Sequence, residues 1–145
     1  MVAAGNPKNI HGIEYLVRSE VRFINRQRGA GTRVLLDYRL KELGLDGRQI
    51  QGYEREEFTH MAIAAAVAGG SADAGLGIRA AACALGLDFI YVTEERYDLC
   101  ILKEYWDTPY IQRILDVIAS PVFHQAVKAL GGYDLRDCGQ IMWEA

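Results

Sequence analysis

Apolar positions along the chain alternate between strand-like runs and helical spacing, the mark of strands interleaved with helices. The run Val21-Arg22-Phe23-Ile24-Asn25 is rich in β-formers and predicts a strand, with a short helix ahead of it around 11–17. Beyond the Gly29-Ala30-Gly31 turn, Leu36, Leu40 and Leu43 recur at helical spacing and Gly44 supplies a stop. A second strand is expected over 49–53. The stretch 58–68 holds an alanine-rich run from Met61 to Ala68, whose small side chains let a helix lie close on a sheet. Residues 72–76 then read as a short strand, and 79–85 as a short helix stopped by Gly86.

Two further strands are expected over 88–92 and 97–102, joined by Thr93–Arg96, with Cys100 buried at the centre of the second. Thr108-Pro109 and Ser120-Pro121 each place a capping residue before proline. They predict helices running to about Ile118 and to Leu130, and 138–143 reads as a last strand. Tyr15, Tyr53, Tyr97, Tyr105, Tyr110 and Tyr133 read as half-buried packing residues. The alternation predicts an α/β fold with a partly parallel sheet.

Composition narrows the function. Half of the 145 residues are hydrophobic, enough for a core, and 16 basic against 19 acidic side chains disfavour a free-standing nucleic-acid binder. No apolar run approaches the roughly 20 residues that span a bilayer, so no membrane partner is expected. Residues 1–11 lack an apolar signal core, which predicts a cytoplasmic location. Cys83, Cys100 and Cys138 form no CxxC, and His11, His60 and His124 no HxxxH, so a metal ligated by side chains is not expected. Neighbouring motifs assemble no nucleophile, base and orienting group.

The informative stretch is Asn25-Arg26-Gln27-Arg28-Gly29-Ala30-Gly31-Thr32-Arg33. It places glycines at a helix N-terminus, where backbone N–H groups lack partners and the helix dipole favours an anion. Thr32 adds a hydroxyl, and Arg26, Arg28 and Arg33 add positive charge nearby. The plainer reading is an ordinary strand-to-helix turn with solvated arginines. The loop is no Walker A motif, having no Lys-Ser/Thr after its glycines, and no GxGxxG fingerprint. Thr59 and His60, in the first turn of the alanine-rich helix, are expected to face the same strand-end crevice. In the plainer reading Thr59 caps, Glu56 and Glu57 complement the dipole, and His60 packs. Asp73, Gly75 and Gly77 read as a tight strand-end turn.

Taken in order, the loop Arg26–Arg33, Gly52-Tyr53, Glu57-Phe58-Thr59-His60, Ala64–Ala68 and Ala72-Asp73-Ala74-Gly75-Leu76-Gly77-Ile78 carry a resemblance, extended by Gly86–Ile90 and Glu95–Leu99. The chain resembles the periplasmic-binding-protein-like domain at the C-terminus of molybdopterin-biosynthesis proteins of the molybdenum-insertase type. The same module is fused to helix-turn-helix domains in molybdate-type regulators. The resemblance implies a type 2 fold, two α/β lobes around a ligand cleft. On that plan 1–20 lead into lobe one, 21–77 form lobe two with its anion loop, and 78–145 return to lobe one with the C-terminal helices. One complete lobe plus a partial second lobe is what a fragment of a longer protein would hold.

The resemblance further implies a non-catalytic domain for a small anion, molybdate or tungstate, with no covalently bound cofactor. Arg28, Gly29, Gly31, Thr32 and Arg33 would cradle the anion, and Thr59 and His60 would line the facing wall. Ala30 stands where relatives often carry serine, which removes one hydroxyl donor. The implied partner is a fused molybdopterin-processing or helix-turn-helix domain upstream, with any molybdenum insertion carried out there. An exposed sheet edge would invite a homodimer. The competing expectation is a structural, dimerising module that has kept the fold but not the ligand.

Overall fold

A computed structural model describes residues 1–144, in two units that meet between Val92 and Thr93. The first unit is built on three parallel strands: β1 (Phe23–Arg26), β2 (Glu56–Glu57) and β3 (Ala74–Gly75), in the order β2-β1-β3. Asn25 and Arg26 register with Glu56 and Glu57 on one side of β1, and Phe23 and Ile24 with Ala74 and Gly75 on the other. All four β1 residues are buried, as expected of a central parallel strand covered on both faces.

Successive strand side chains point to opposite faces, and β1 uses both. Phe23 packs with Leu36 and Leu40 of α1 (Gly31–Glu42), beside Ile13 and Leu16 from a 3-10 turn at Ile13–Val17. Ile24 packs with Ile63, Ala64 and Val67 of α2 (His60–Ala68) and with Ala81 and Ala82 of α3 (Arg79–Ala84). The alanine run expected to lie close on the sheet does so, through α2. Val2 bridges Ala74 and Asp88, and Gly75 exchanges hydrogen bonds with Met1, so the outer edge of β3 is covered.

The periodicity located β1 and α1 to α3 to within a few residues. The short helix expected around 11–17 forms, as a five-residue 3-10 helix over Ile13–Val17 rather than an α-helix. Two other expectations need correction. The strand expected over 49–53 forms later, at Glu56–Glu57. Residues 47–49 instead make a 3-10 turn, closed by a capping box between Asp46 and Gln49. Gln51 and Arg55 accept from β1 N–H groups as the chain approaches. The strands expected over 88–92, 97–102 and 138–143 are absent, apart from the single bridge at Asp88. Strand propensity is largely fit to a neighbouring strand, and these segments have none.

Cys100 is therefore exposed rather than central to a buried strand. Among the tyrosines, Tyr15 and Tyr53 pack against the core, whereas Tyr97, Tyr105, Tyr110 and Tyr133 are exposed. The second unit consists chiefly of α4 (Pro109–Ala119) and α5 (Pro121–Leu130), which pack on each other as the two proline signals predict. Ser120 caps α5 by accepting from the Phe123 N–H, while the Thr108 hydroxyl donates back to Tyr105 instead of capping α4.

At the amino-terminal end of the sheet, Asp73 accepts from the Arg22 backbone N–H at 2.8 Å and from its guanidinium at 2.8 and 3.0 Å. The pair ties the start of β1 to the start of β3. The hydrogen-bonded Arg22 guanidinium holds the Asp73 carboxyl below its ordinary value despite partial burial. A carboxyl whose folded pKa is depressed stabilises above its unfolded pKa, and that contribution is lost as pH falls through the folded value. Asp73→Asn is expected to lower the melting temperature at neutral pH. The gap to wild type should close as the pH drops below about 4, read by circular dichroism melts across pH.

Candidate functional site

Parallel pairing obliges each crossover to return the chain to the same end of the sheet, so α1, α2 and α3 all start beyond the carboxyl ends of the strands. Because β2 and β3 flank β1 on opposite sides, the crossovers diverge there, and this switch point is where open α/β sheets form a ligand crevice.

On the β1 side the crevice begins with the loop 27–30. Gly29 has φ +87°, a conformation other residues rarely adopt, and no atom lies within 4 Å of where a Cβ would stand. Ala30 precedes α1 in extended geometry and offers no side-chain cap. Its own N–H donates to Gln27, and the N–H groups of Arg33 and Val34 both donate to Ala30. Among the described residues the N–H groups of Gly31 and Thr32 have no partner. Gly29 and Gly31 are exposed and Thr32 half-buried, so these donors lie open.

The arginines have separated fates. Arg28 donates to Glu54 at 2.8 Å and lies 3.8 Å from Glu56. Hydrogen bonding to Glu54 raises its pKa further above neutrality. Arg33 is buried, donating to Asp37 at 3.2 Å and to Glu56 and the Tyr53 carbonyl at 3.3 Å, with its guanidinium 4.0 Å from the centre of the Tyr53 ring. The Tyr53 hydroxyl donates to Asp37, and burial, reinforced by that bond, pushes the phenol pKa up. Arg33 thus clamps α1 to β2, with its charge already matched by two carboxylates.

On the α2 side, Thr59 accepts from the Ala62 N–H at 3.0 Å and caps the helix. The ring nitrogens of His60 lie 2.9 and 3.1 Å from Arg26 Nη1. A Cβ on Gly77 would stand 3.1 Å from His60 Nδ1, so the loop after β3 reaches the same ring. Arg26, the last residue of β1, is the member that sequence reasoning left in the background. It is 9% exposed and donates through Nε to Gln27 and through Nη2 to the Phe58 carbonyl. Its place at the end of the β-former run that becomes β1 was the available signal. Asp73, by contrast, lies at the opposite end of the sheet.

A concavity of about 380 Å³ lies at the far end of α1, beside Asp37, Lys41 and Asp46. Its two carboxylates and distance from the helix N-termini suit an anion poorly. Among the described residues no group of three or more His, Cys, Asp or Glu side chains could hold a metal ion, and no helix is long and apolar enough to cross a membrane.

A family model described as a PBP superfamily domain matches residues 1–119. The chain belongs to this periplasmic-binding-protein-like family. Its small parallel sheet with flanking helices fits that assignment, and domains of this kind are generally non-catalytic binding folds. The chain is 36% identical over 143 residues to YvgK, an uncharacterized protein of Bacillus subtilis (strain 168), covering 99% of this chain and 46% of YvgK. It therefore spans about half the length of that relative. It is also 40% identical over 112 residues to an uncharacterized Clostridium pasteurianum protein from the 5′ region of a 2Fe-2S ferredoxin gene, covering 77% of this chain and 99% of that protein. No solved structure matches the chain.

Arg33→Lys would lose the planar fork and the stack on Tyr53 while keeping a positive charge. It is expected to destabilise the first unit by about 1–3 kcal/mol, read by urea denaturation.

Proposed function

We propose that this domain is a non-catalytic binding module for a small oxyanion of the molybdate or tungstate type. The observation that carries the reading is the pair of unpartnered N–H groups of Gly31 and Thr32, opening at the carboxyl end of the sheet. A fully ionised tetrahedral oxyanion accepts hydrogen bonds and donates none, so a cradle of N–H groups at the positive end of a helix suits it. Gly29 shapes the loop, the Thr32 hydroxyl adds a donor, and His60 borders the crevice opposite. Arg28 and Arg33 act through their carboxylate partners, by holding the loop to β2, and Thr59 acts as the cap that starts α2.

The membership of a binding-fold family and the resemblance of the loop to those of oxyanion-binding relatives support the same reading. Within a longer protein the module would signal occupancy to a fused molybdopterin-processing or helix-turn-helix domain, in the cytoplasm. The chemistry of molybdenum insertion, where present, would belong to that attached domain.

Proline is well tolerated at the first position of a helix, where its missing N–H breaks no helical bond. Gly31 occupies that position, and Ala30 before it, at φ −69° and ψ 137°, already has the backbone a following proline requires. Gly31→Pro thus removes one donor while preserving the helix. Wild-type protein titrated with molybdate, tungstate, sulfate and phosphate should gain thermal stability with concentration, about 2.7 kcal/mol at a hundredfold excess over Kd for the preferred anion. Gly31→Pro should melt near wild type without anion and respond much less. Indifference of the wild type to all four anions would sink the reading.

A further inference from the structure

Among the described residues, one cation at the strand ends takes part in no ion pair. Arg28 and Arg33 have carboxylate partners, whereas none of the ion pairs among the described residues includes Arg26. Arg26 as a residue is only 9% exposed. Gln27 Oε1 accepts from Nε at 3.1 Å, the Phe58 carbonyl accepts from Nη2 at 3.0 Å, and the His60 ring lies against Nη1. These three contacts fix the plane of the guanidinium, but the carbonyl and the amide bring no negative charge. A guanidinium has five N–H donors, so the fork is not exhausted by them.

The surroundings sharpen the imbalance. Arg26 ends the central strand at the switch point, between the first turns of α1 and α2, and both turns present the positive ends of helix dipoles. Glu57 stands in register with Arg26 across the strand pair, yet no ion pair among the described residues joins them, and the other β2-side carboxylates are engaged elsewhere: Glu54 with Arg28, and Glu56 chiefly with Arg33. Burying a charge without an opposite charge is destabilising, and groups so placed cluster at functional sites.

We propose that Arg26, rather than Arg28 or Arg33, is the countercharge for the anion and makes the domain select a charged ligand over a neutral one. The proposal rests on the anion reading of the same crevice and adds the residue that enforces it. Arg26 would offer its remaining N–H groups to two oxygens of the anion, while Gly31 and Thr32 donate from the α1 side.

The test measures Arg26→Met and Arg26→Lys beside wild type. Melting temperatures are taken at low ionic strength without anion, and calorimetric titrations use molybdate and, separately, succinate. The hydrogen bond from Arg26 to the Phe58 carbonyl is only part-buried, so water can replace the lost donor. Arg26→Met is therefore expected to melt at or above wild type without anion and to lose about tenfold or more of the molybdate affinity. Arg26→Lys, keeping the charge but not the fork, should fall between.

If Arg26→Met melts several degrees below wild type without anion, Arg26 is a structural strut and the proposal fails. Equal molybdate affinity in Arg26→Met and wild type would also overturn it, while leaving the oxyanion reading intact. A wild type that ignores molybdate but binds succinate through Arg26 would do the reverse. A wild type that binds neither anion overturns both.

Discussion

Parallel pairing on both sides of β1 is the constraint from which the rest of the first unit follows. A strand with a parallel neighbour on each side must have crossovers covering it, and Phe23 and Ile24, facing opposite ways, give those crossovers two separate cores. The same pairing delivers every helix N-terminus to one end of the sheet. Positive potential therefore accumulates there through topology, before any arginine is added. The site is thus a product of how the core is built.

Charge placement then divides that end in two. Toward β2, Glu54, Glu56 and Asp37 engage Arg28 and Arg33, and the stack of Arg33 on Tyr53 closes the region off. Toward β3, none of the ion pairs among the described residues includes Arg26, which lies against the His60 ring, and Asp73 pairs with Arg22 at the far end. On the proposed reading, this division leaves Arg26 as the cation available to an anion, while Arg28 and Arg33 are spent on their carboxylates.

Much of this was legible from local signals, and what was not depended on distant residues. The strand at β1, the glycine turn and the helices after it follow from apolar spacing and stop residues near in sequence. The two proline-headed helices follow from their caps. The displacement of β2 reflects competition, since the box between Asp46 and Gln49 gives the backbone partners before the strand can. The strands expected after Asp88 failed because apolar alternation describes a surface that wants a partner without supplying one. In the site, the glycine loop was readable because its donors are backbone groups. The fate of each arginine was not, because Arg33 is committed by Tyr53, 20 residues away, and Arg26 by Phe58 and His60, 32 and 34 residues away.

On the proposed reading, burial also orders the contributions of the donors to binding. The N–H groups at Gly31 and Thr32 face solvent, where water and salt screen most of what a helix terminus offers an anion. Arg26 lies in a medium of lower effective dielectric, where the same unit charge acts more strongly at the same distance. On the proposed reading the exposed loop sets where the anion docks, and the buried guanidinium sets which ligands are worth docking. Any surface that covers the loop would raise the strength of its donors toward that of Arg26.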